Sequence, residues 1–272
     1  MKRSRFFLFS IALAVLGVLY FLPRHAKKAE ALSGGSLGHA YESLWEEKKP
    51  TLAAWKDQLK KIPPKTKVYV QLTDSIARTY FRVSVMDSAI YYADRLYSLG
   101  AKKEAARIYY KIQEQLPDNK TKQTYQQKTK TLIKELMNTY PREEEWKIKE
   151  ALLLVSSARP MDGVRKLKDM LKENPLSEEI NFQLGKLSVL SGQYDKAIQY
   201  LSQVATSSHT KSTEAMLYLG KAWMEKGNEK KSLYWFGELR KVEVDPAILD
   251  LCDRFMETLS GRRLEEYEYP SL

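Results

Sequence analysis

Few residues in this 272-residue chain have the type and spacing to carry chemistry. One cysteine, Cys252, excludes a disulfide framework and any cysteine-based zinc site. His25, His39 and His209 lie too far apart in sequence for ligand spacing, so no metal site is expected. There is no glycine-rich dinucleotide or phosphate loop, no His-Glu-x-x-His and no Gly-x-Ser-x-Gly turn, so no cofactor is expected either. The paired carboxylates Glu144 and Glu145, and Glu178 and Glu179, fall at the starts of predicted helices. There they complement the helix dipole, which accounts for them without catalysis. The remaining chemistry is positive charge, a formal net of +11. Its densest stretch, residues 119–136, carries Lys120, Lys122, Lys128, Lys130 and Lys134 against Glu135. Only Tyr125 interleaves and no nucleic-acid module is present, so no nucleic-acid partner is expected. A solvated helix face is the simplest reading, with acidic lipid headgroups as the alternative.

The elements that would position such residues are helical. In "LGKLSVLSGQYDKAIQYL", residues 184–201, apolar residues at 184, 187 and 190 keep helical spacing up to Gly192, a helix-ending residue. Gly185 lies inside that helix, where glycine costs about 1 kcal/mol relative to alanine. Close approach of a second helix would offset the cost. The stretch 219–236 repeats the arrangement, with Gly220, Gly227 and Ser232 each 35 residues after Gly185, Gly192 and Ala197. Upstream, Ala151, Ala158 and Gly163 stand 34 residues before the same three. Two helices per period of 34 or 35 residues predict an all-α solenoid of antiparallel hairpins. Gly185 is expected to face Ala197, and Gly220 to face Ser232.

This pattern resembles the tetratricopeptide repeat, with a small-residue first helix, a turn glycine, then tyrosine, alanine, an aromatic or leucine, and a closing proline. Leu184, Gly185, Gly192, Tyr194, Ala197 and Leu201 carry the resemblance, as do Leu219, Gly220, Trp223, Gly227 and Phe236, while Pro175 closes the preceding unit. His209 stands where one closing proline would be, and Ser232 replaces an alanine. The resemblance covers residues 143–245 well and 67–142 more loosely. It implies a right-handed superhelix whose first helices line a concave groove for an extended or helical segment of a protein partner. Phe182, Lys186 and Val189 would line that groove from one repeat, and Leu217, Lys221 and Met224 from the next. Two ammonium groups beside an apolar floor suit an acidic, partly apolar segment. The family's two-carboxylate clamp is not implied, because its further Lys, Asn and Arg residues are missing at the matching positions.

Residues 6–22, "FFLFSIALAVLGVLYFL", form an uncharged run behind Lys2, Arg3 and Arg5. At 1.5 Å per residue they reach about 26 Å, enough for a thin bilayer. We expect residues 1–23 to be an uncleaved transmembrane anchor, the alternative being a cleaved signal. The segment 24–40, Gly- and Ser-rich toward its end, is expected to be a flexible tether. Residues 41–66, amphipathic with Trp45 and Trp55, read as a cap on the solenoid or a helix lying on the membrane. In 67–142 two registers compete, one pairing Ala77 with Ala89, the other placing Ala105, Tyr109, Ile112 and Pro117 in the second helix of a repeat beginning near 86. Residues 246–261 are expected to be a capping helix with Asp245 as N-cap, Pro246 in its first turn and Gly261 at its end. Residues 262–272 are expected to be a loose polar and acidic tail, the alternative being a partner-binding peptide.

The expected function is a non-enzymatic scaffold or adaptor, anchored in the inner membrane of a bacterial envelope with the solenoid on the periplasmic side. The alternatives are a peripheral envelope enzyme whose site is assembled from distant residues, and a cytosol-facing import-type receptor.

Overall fold

The computed structural model describes residues 36–117, 120–207, 212–242 and 246–260. Among these residues there are twelve α-helices and no strand. In chain order they are α1 (Ser36–Lys61), α2 (Lys67–Arg82), α3 (Met86–Ser98), α4 (Lys102–Gln115), α5 (Lys120–Thr139) and α6 (Glu144–Val155). Then follow α7 (Pro160–Glu173), α8 (Glu178–Leu190), α9 (Tyr194–Ala205), α10 (Ser212–Glu225), α11 (Glu229–Val242) and α12 (Pro246–Ser260). They fall into two compact units, divided between Gly163 and Val164.

In the N-terminal unit each helix from α1 to α6 packs on the next, and α2 also touches α4. α1 covers α2, burying Leu52 and Leu59 and packing Trp45 and Trp55 against the same core. The amphipathic segment therefore packs on this unit. One expectation needs correcting. The helix begins at Ser36, so residues 36–40 of the expected tether are helical. It also runs through Pro50, although proline removes one backbone donor from a helix interior. A long amphipathic stripe held on α2 outweighs both local signals. After Pro63 and Pro64 the chain restarts at Thr66, whose hydroxyl accepts the N–H of Tyr69 at 3.2 Å and caps α2. Ala77 and Ala89 are both fully buried in the pair α2–α3, as one of the two competing registers requires.

Four hairpin turns share one hydrogen-bond pattern. At Gly192 the residue's N–H reaches Val189 O and the next N–H reaches Ser188 O, closing α8 in a Schellman motif. Gly100 and Gly227 repeat it, with φ of +81° and +71°. Between α2 and α3 the position is held by Ser84 at φ +59°, so a side chain occupies a backbone conformation that favours glycine. The link from α6 to α7 is built differently, and Ala158 takes no such conformation there.

In the C-terminal unit α8 packs on α9, α9 on α10, α10 on α11 and α11 on α12, while α8 also touches α10 and α10 touches α12. The small residues make close approaches, and the atoms nearest Gly185 and Gly220 belong to residues one turn past the expected mates. A Cβ on Gly185 would stand 2.5 Å from Leu201 Cγ, one turn beyond Ala197. On Gly220 it would stand 2.6 Å from Phe236 Cε1, one turn beyond Ser232. Ser232 instead donates its hydroxyl to the Gly220 carbonyl at 2.8 Å, in a fully buried position. In both hairpins the residue twelve on stays small and the one sixteen on fills the space left by the missing side chain. Gly163 is tighter still, since a Cβ there would lie 2.3 Å from the Ala151 carbonyl oxygen and 2.7 Å from Val155 N.

The expected anchor at 6–22, the N-cap Asp245, the terminator Gly261 and the repeat-closing His209 lie outside the described residues. No described helix is long and apolar enough to cross a membrane.

Candidate partner-binding site

The first helix of each C-terminal hairpin places a lysine at the same point. Lys186 of α8 lies half-buried with its Nζ 5.8 Å from the ring centre of Tyr218 in α10. Lys221 of α10 lies half-buried with its Nζ 5.9 Å from the ring of Phe255 in α12. Each aliphatic stem crosses apolar surface toward the next first helix while the ammonium stays near solvent. At these distances the attraction to the ring is worth about 0.5 kcal/mol. Among the described residues Lys221 forms no ion pair. Leu217 and Met224 are half-buried beside it, Leu217 also packing on the core around Phe236, Leu239 and Cys252.

The other two expected lining residues are buried. Phe182 and Val189 are 1% and 5% exposed and belong to the core between repeats, Phe182 meeting Tyr218 edge-on. The reason lies in their spacing. Residues 182, 185 and 189 form one i, i+3, i+7 stripe, and Gly185 marks the side of α8 that approaches α9. The floor beside the lysines is therefore Tyr218, Leu217, Met224 and Phe255. Sequence reasoning missed Tyr218 and Phe255, and their sequence signal is an aromatic one repeat beyond each lysine.

The N-terminal unit carries basic residues at similar intervals, with Arg78 in α2, Lys111 in α4 and Lys149 in α6. Lys111 Nζ lies 5.9 Å from the ring of Phe81, an arrangement like that of Lys186 and Lys221, and the other two have carboxylate partners. Arg78 is held by Asp74 at 2.6 Å. Lys149 lies 3.7 Å from Glu145 and 4.6 Å from the ring of Tyr110. Glu145 also accepts two hydrogen bonds from Arg107, whose guanidinium lies 5.4 Å from the ring of the buried Trp146. Lys103 pairs with Glu143 and sits 3.5 Å above Tyr140. Arg78, Lys103, Arg107 and Lys149 thus each have a carboxylate partner, unlike Lys221.

Titratable groups do converge at Asp94. Its carboxylate accepts hydrogen bonds from Tyr109, from Tyr125 at 2.8 Å and from Lys128 at 3.0 Å. Burial opposes its ionisation, but the donors Tyr109, Lys128 and Tyr125 outweigh burial and hold its pKa below the ordinary value. Burial, reinforced by Asp94, pushes both phenols well above theirs. Acid and phenols thus titrate further from neutrality than usual, opposite to what proton transfer near pH 7 requires. The Cys252 thiol, buried and 3.4 Å from the Phe236 carbonyl, is pushed up to about 12, chiefly by burial and then by Asp253. It is a packed apolar group and not a nucleophile. Among the described residues no cluster of His, Cys, Asp and Glu could hold a metal ion.

No family model and no curated protein matches the chain. Solved structures do, two of them tetratricopeptide repeat proteins. YrrB, described as a TPR protein with an unusual peptide-binding site, is 16% identical over 73% of this chain and 97% of its own, with a TM-score of 0.38. A tetratricopeptide repeat protein from Parabacteroides merdae is 13% identical over 82% of this chain and 100% of its own, with a TM-score of 0.46. At these values neither transfers a role to any residue here. The hairpin architecture stands on the packing already described.

Proposed function

We propose that the chain is a protein-interaction scaffold whose inner face, formed by α8, α10 and α12, captures an extended segment carrying acidic and apolar side chains. One observation carries this reading. Lys221 lies beside half-buried Leu217 and Met224 and over Phe255, with no carboxylate partner among the described residues. A cation beside apolar surface offers charge and contact together, and a carboxylate-bearing peptide gains from both. The test is binding of a fluorescein-labelled acidic, leucine-containing octapeptide to the full chain in mild detergent. Lys186→Glu/Lys221→Glu should abolish binding and leave helix content by circular dichroism unchanged. Undiminished binding would discard the assignment.

In the same reading the hairpins wind as a right-handed superhelix within each unit. Residues 6–22 anchor it in a bacterial inner membrane, and the solenoid works on the periplasmic side in assembly, secretion or chaperoning. This part rests on sequence alone, on the uncharged run and the basic leader before it. A reporter fused after residue 272 and active only in the cytoplasm would overturn the topology.

A further inference from the structure

The face around Lys221 attracts acidic segments, and this chain carries one. Residues 264–271, "LEEYEYPS", contain Glu265, Glu266 and Glu268, no Lys or Arg, and Leu264, Tyr267 and Tyr269 between them. The segment lies outside the described residues, and it follows α12, one of the three helices of the proposed face, after Gly261, Arg262 and Arg263. We infer that residues 264–271 occupy the Lys221–Lys186 face of their own chain, so that an outside partner must displace them. This rests on the reading that the face binds acidic segments.

Reach allows it. Lys221 sits over Phe255, five residues before the end of α12 at Ser260, or about 8 Å along the helix axis. Glu265 follows Ser260 by five residues and can extend about 17 Å from it. Neighbouring first helices stand about 10 Å apart, so Glu265 and Glu266 reach Lys221. Glu268, eight residues past Ser260, extends about 27 Å and reaches Lys186 one helix further on. Charge and side-chain type are complementary as well. Three carboxylates interleaved with Leu264, Tyr267 and Tyr269 would meet two ammonium groups set among Tyr218, Leu217, Met224 and Phe255. A short tether holds its ligand at an effective concentration on the order of millimolar. A segment with an intrinsic dissociation constant of about 0.1 mM would then weaken an equivalent outside ligand about tenfold.

The test uses the full chain in mild detergent at low salt, with fluorescein-labelled peptide 264–271 as the probe. Glu265→Gln/Glu266→Gln/Glu268→Gln should bind the probe about tenfold more tightly than the unaltered chain. Adding Lys186→Glu/Lys221→Glu should abolish that binding. Carbodiimide should link Lys221 to Glu265 or Glu266 within single chains when isotopically labelled and unlabelled protein are mixed. Equal probe affinity with and without the glutamates would overturn the self-occupancy and leave the face as a binding site. Binding by the glutamine variant that survives the lysine substitutions, or no binding by any variant, would overturn the face and the inference together. Crosslinks joining labelled to unlabelled chains would overturn the same-chain occupant in favour of a second copy.

Discussion

Gly220 and Gly237 lie in the two helices of one hairpin, and replacing each by alanine should change stability in opposite directions. Both lie inside helices, where alanine gains about 1 kcal/mol over glycine. Around Gly237 nothing stands within 4 Å of the added Cβ, so the gain should appear in full. At Gly220 the Cβ would stand 2.6 and 2.7 Å from two atoms of Phe236, about 1 Å inside ordinary contact. The ring cannot retreat, because Phe236 is fully buried and stacked on Phe255 at 5.4 Å between centres. Overpacking of this kind costs about 1–3 kcal/mol, and the net loss after the propensity gain should be up to about 2 kcal/mol. Repeat arrays open locally, so the readout should be hydrogen exchange of α10 and α11 amides, followed peptide by peptide. Slower exchange in Gly237→Ala and faster exchange in Gly220→Ala is the expected result. Were Gly220→Ala to slow exchange as much as Gly237→Ala, the missing side chain would not be what lets α11 approach, and the packing account of the repeat would fail.

Ser84→Gly should stabilise the α2–α3 hairpin by about 0.5–1 kcal/mol, since serine at φ +59° bears a strain that glycine lacks. Gly192→Ala, at φ +72°, should cost about 1 kcal/mol in the same denaturation assay. Because the pKa of Asp94 is depressed in the fold, its contribution is present above the unfolded-state value near about 4 and is lost as pH falls below that. The thermal midpoint of the N-terminal unit should therefore drop more steeply between pH 5 and pH 3 in the unaltered protein than in Asp94→Asn, and equal slopes would remove Asp94 from the acid transition. Cys252, with its thiol pushed up to about 12, should resist iodoacetamide at pH 8 in the native state and react once urea unfolds the chain. A shift of three units leaves about a thousandth of the usual thiolate, so prompt labelling of folded protein would contradict its burial.

The helices and their turns were legible because their signals are local. Gly192 and Gly227 announce turns by residue type, and the spacing of Ala77 and Ala89 marked a hairpin in the divergent half. Ser84 was not legible as the same turn, because nothing in its type implies positive φ. Contacts were harder to read than elements. A small residue says that something comes close, and its spacing to other small residues suggested Ala197 and Ser232 as the mates. The filling atoms belong to Leu201 and Phe236, large residues that sequence alone cannot tell from ordinary core. Periodicity marked Lys186 and Lys221 as equivalent positions, and both are half-buried. Phe182 and Val189 are core residues, and residue type alone does not tell a groove-lining apolar side chain from a buried one. Tether and helix were confused at residues 36–40, since serine and glycine lower helix preference by an amount that burial of Leu52 and Leu59 further along the same helix outweighs.

Gly163 differs in kind from the other two close-approach glycines, because what crowds it is backbone. Leu201 and Phe236 are side chains, so a second substitution can make room at Gly185 or Gly220, and related chains could trade bulk between the two helices. A carbonyl oxygen and an amide nitrogen have no smaller version. If every residue type were tried at each position, the column for 163 would tolerate no replacement, with no rescuing partner anywhere in the chain, while the columns for 185 and 220 would reopen in pairs.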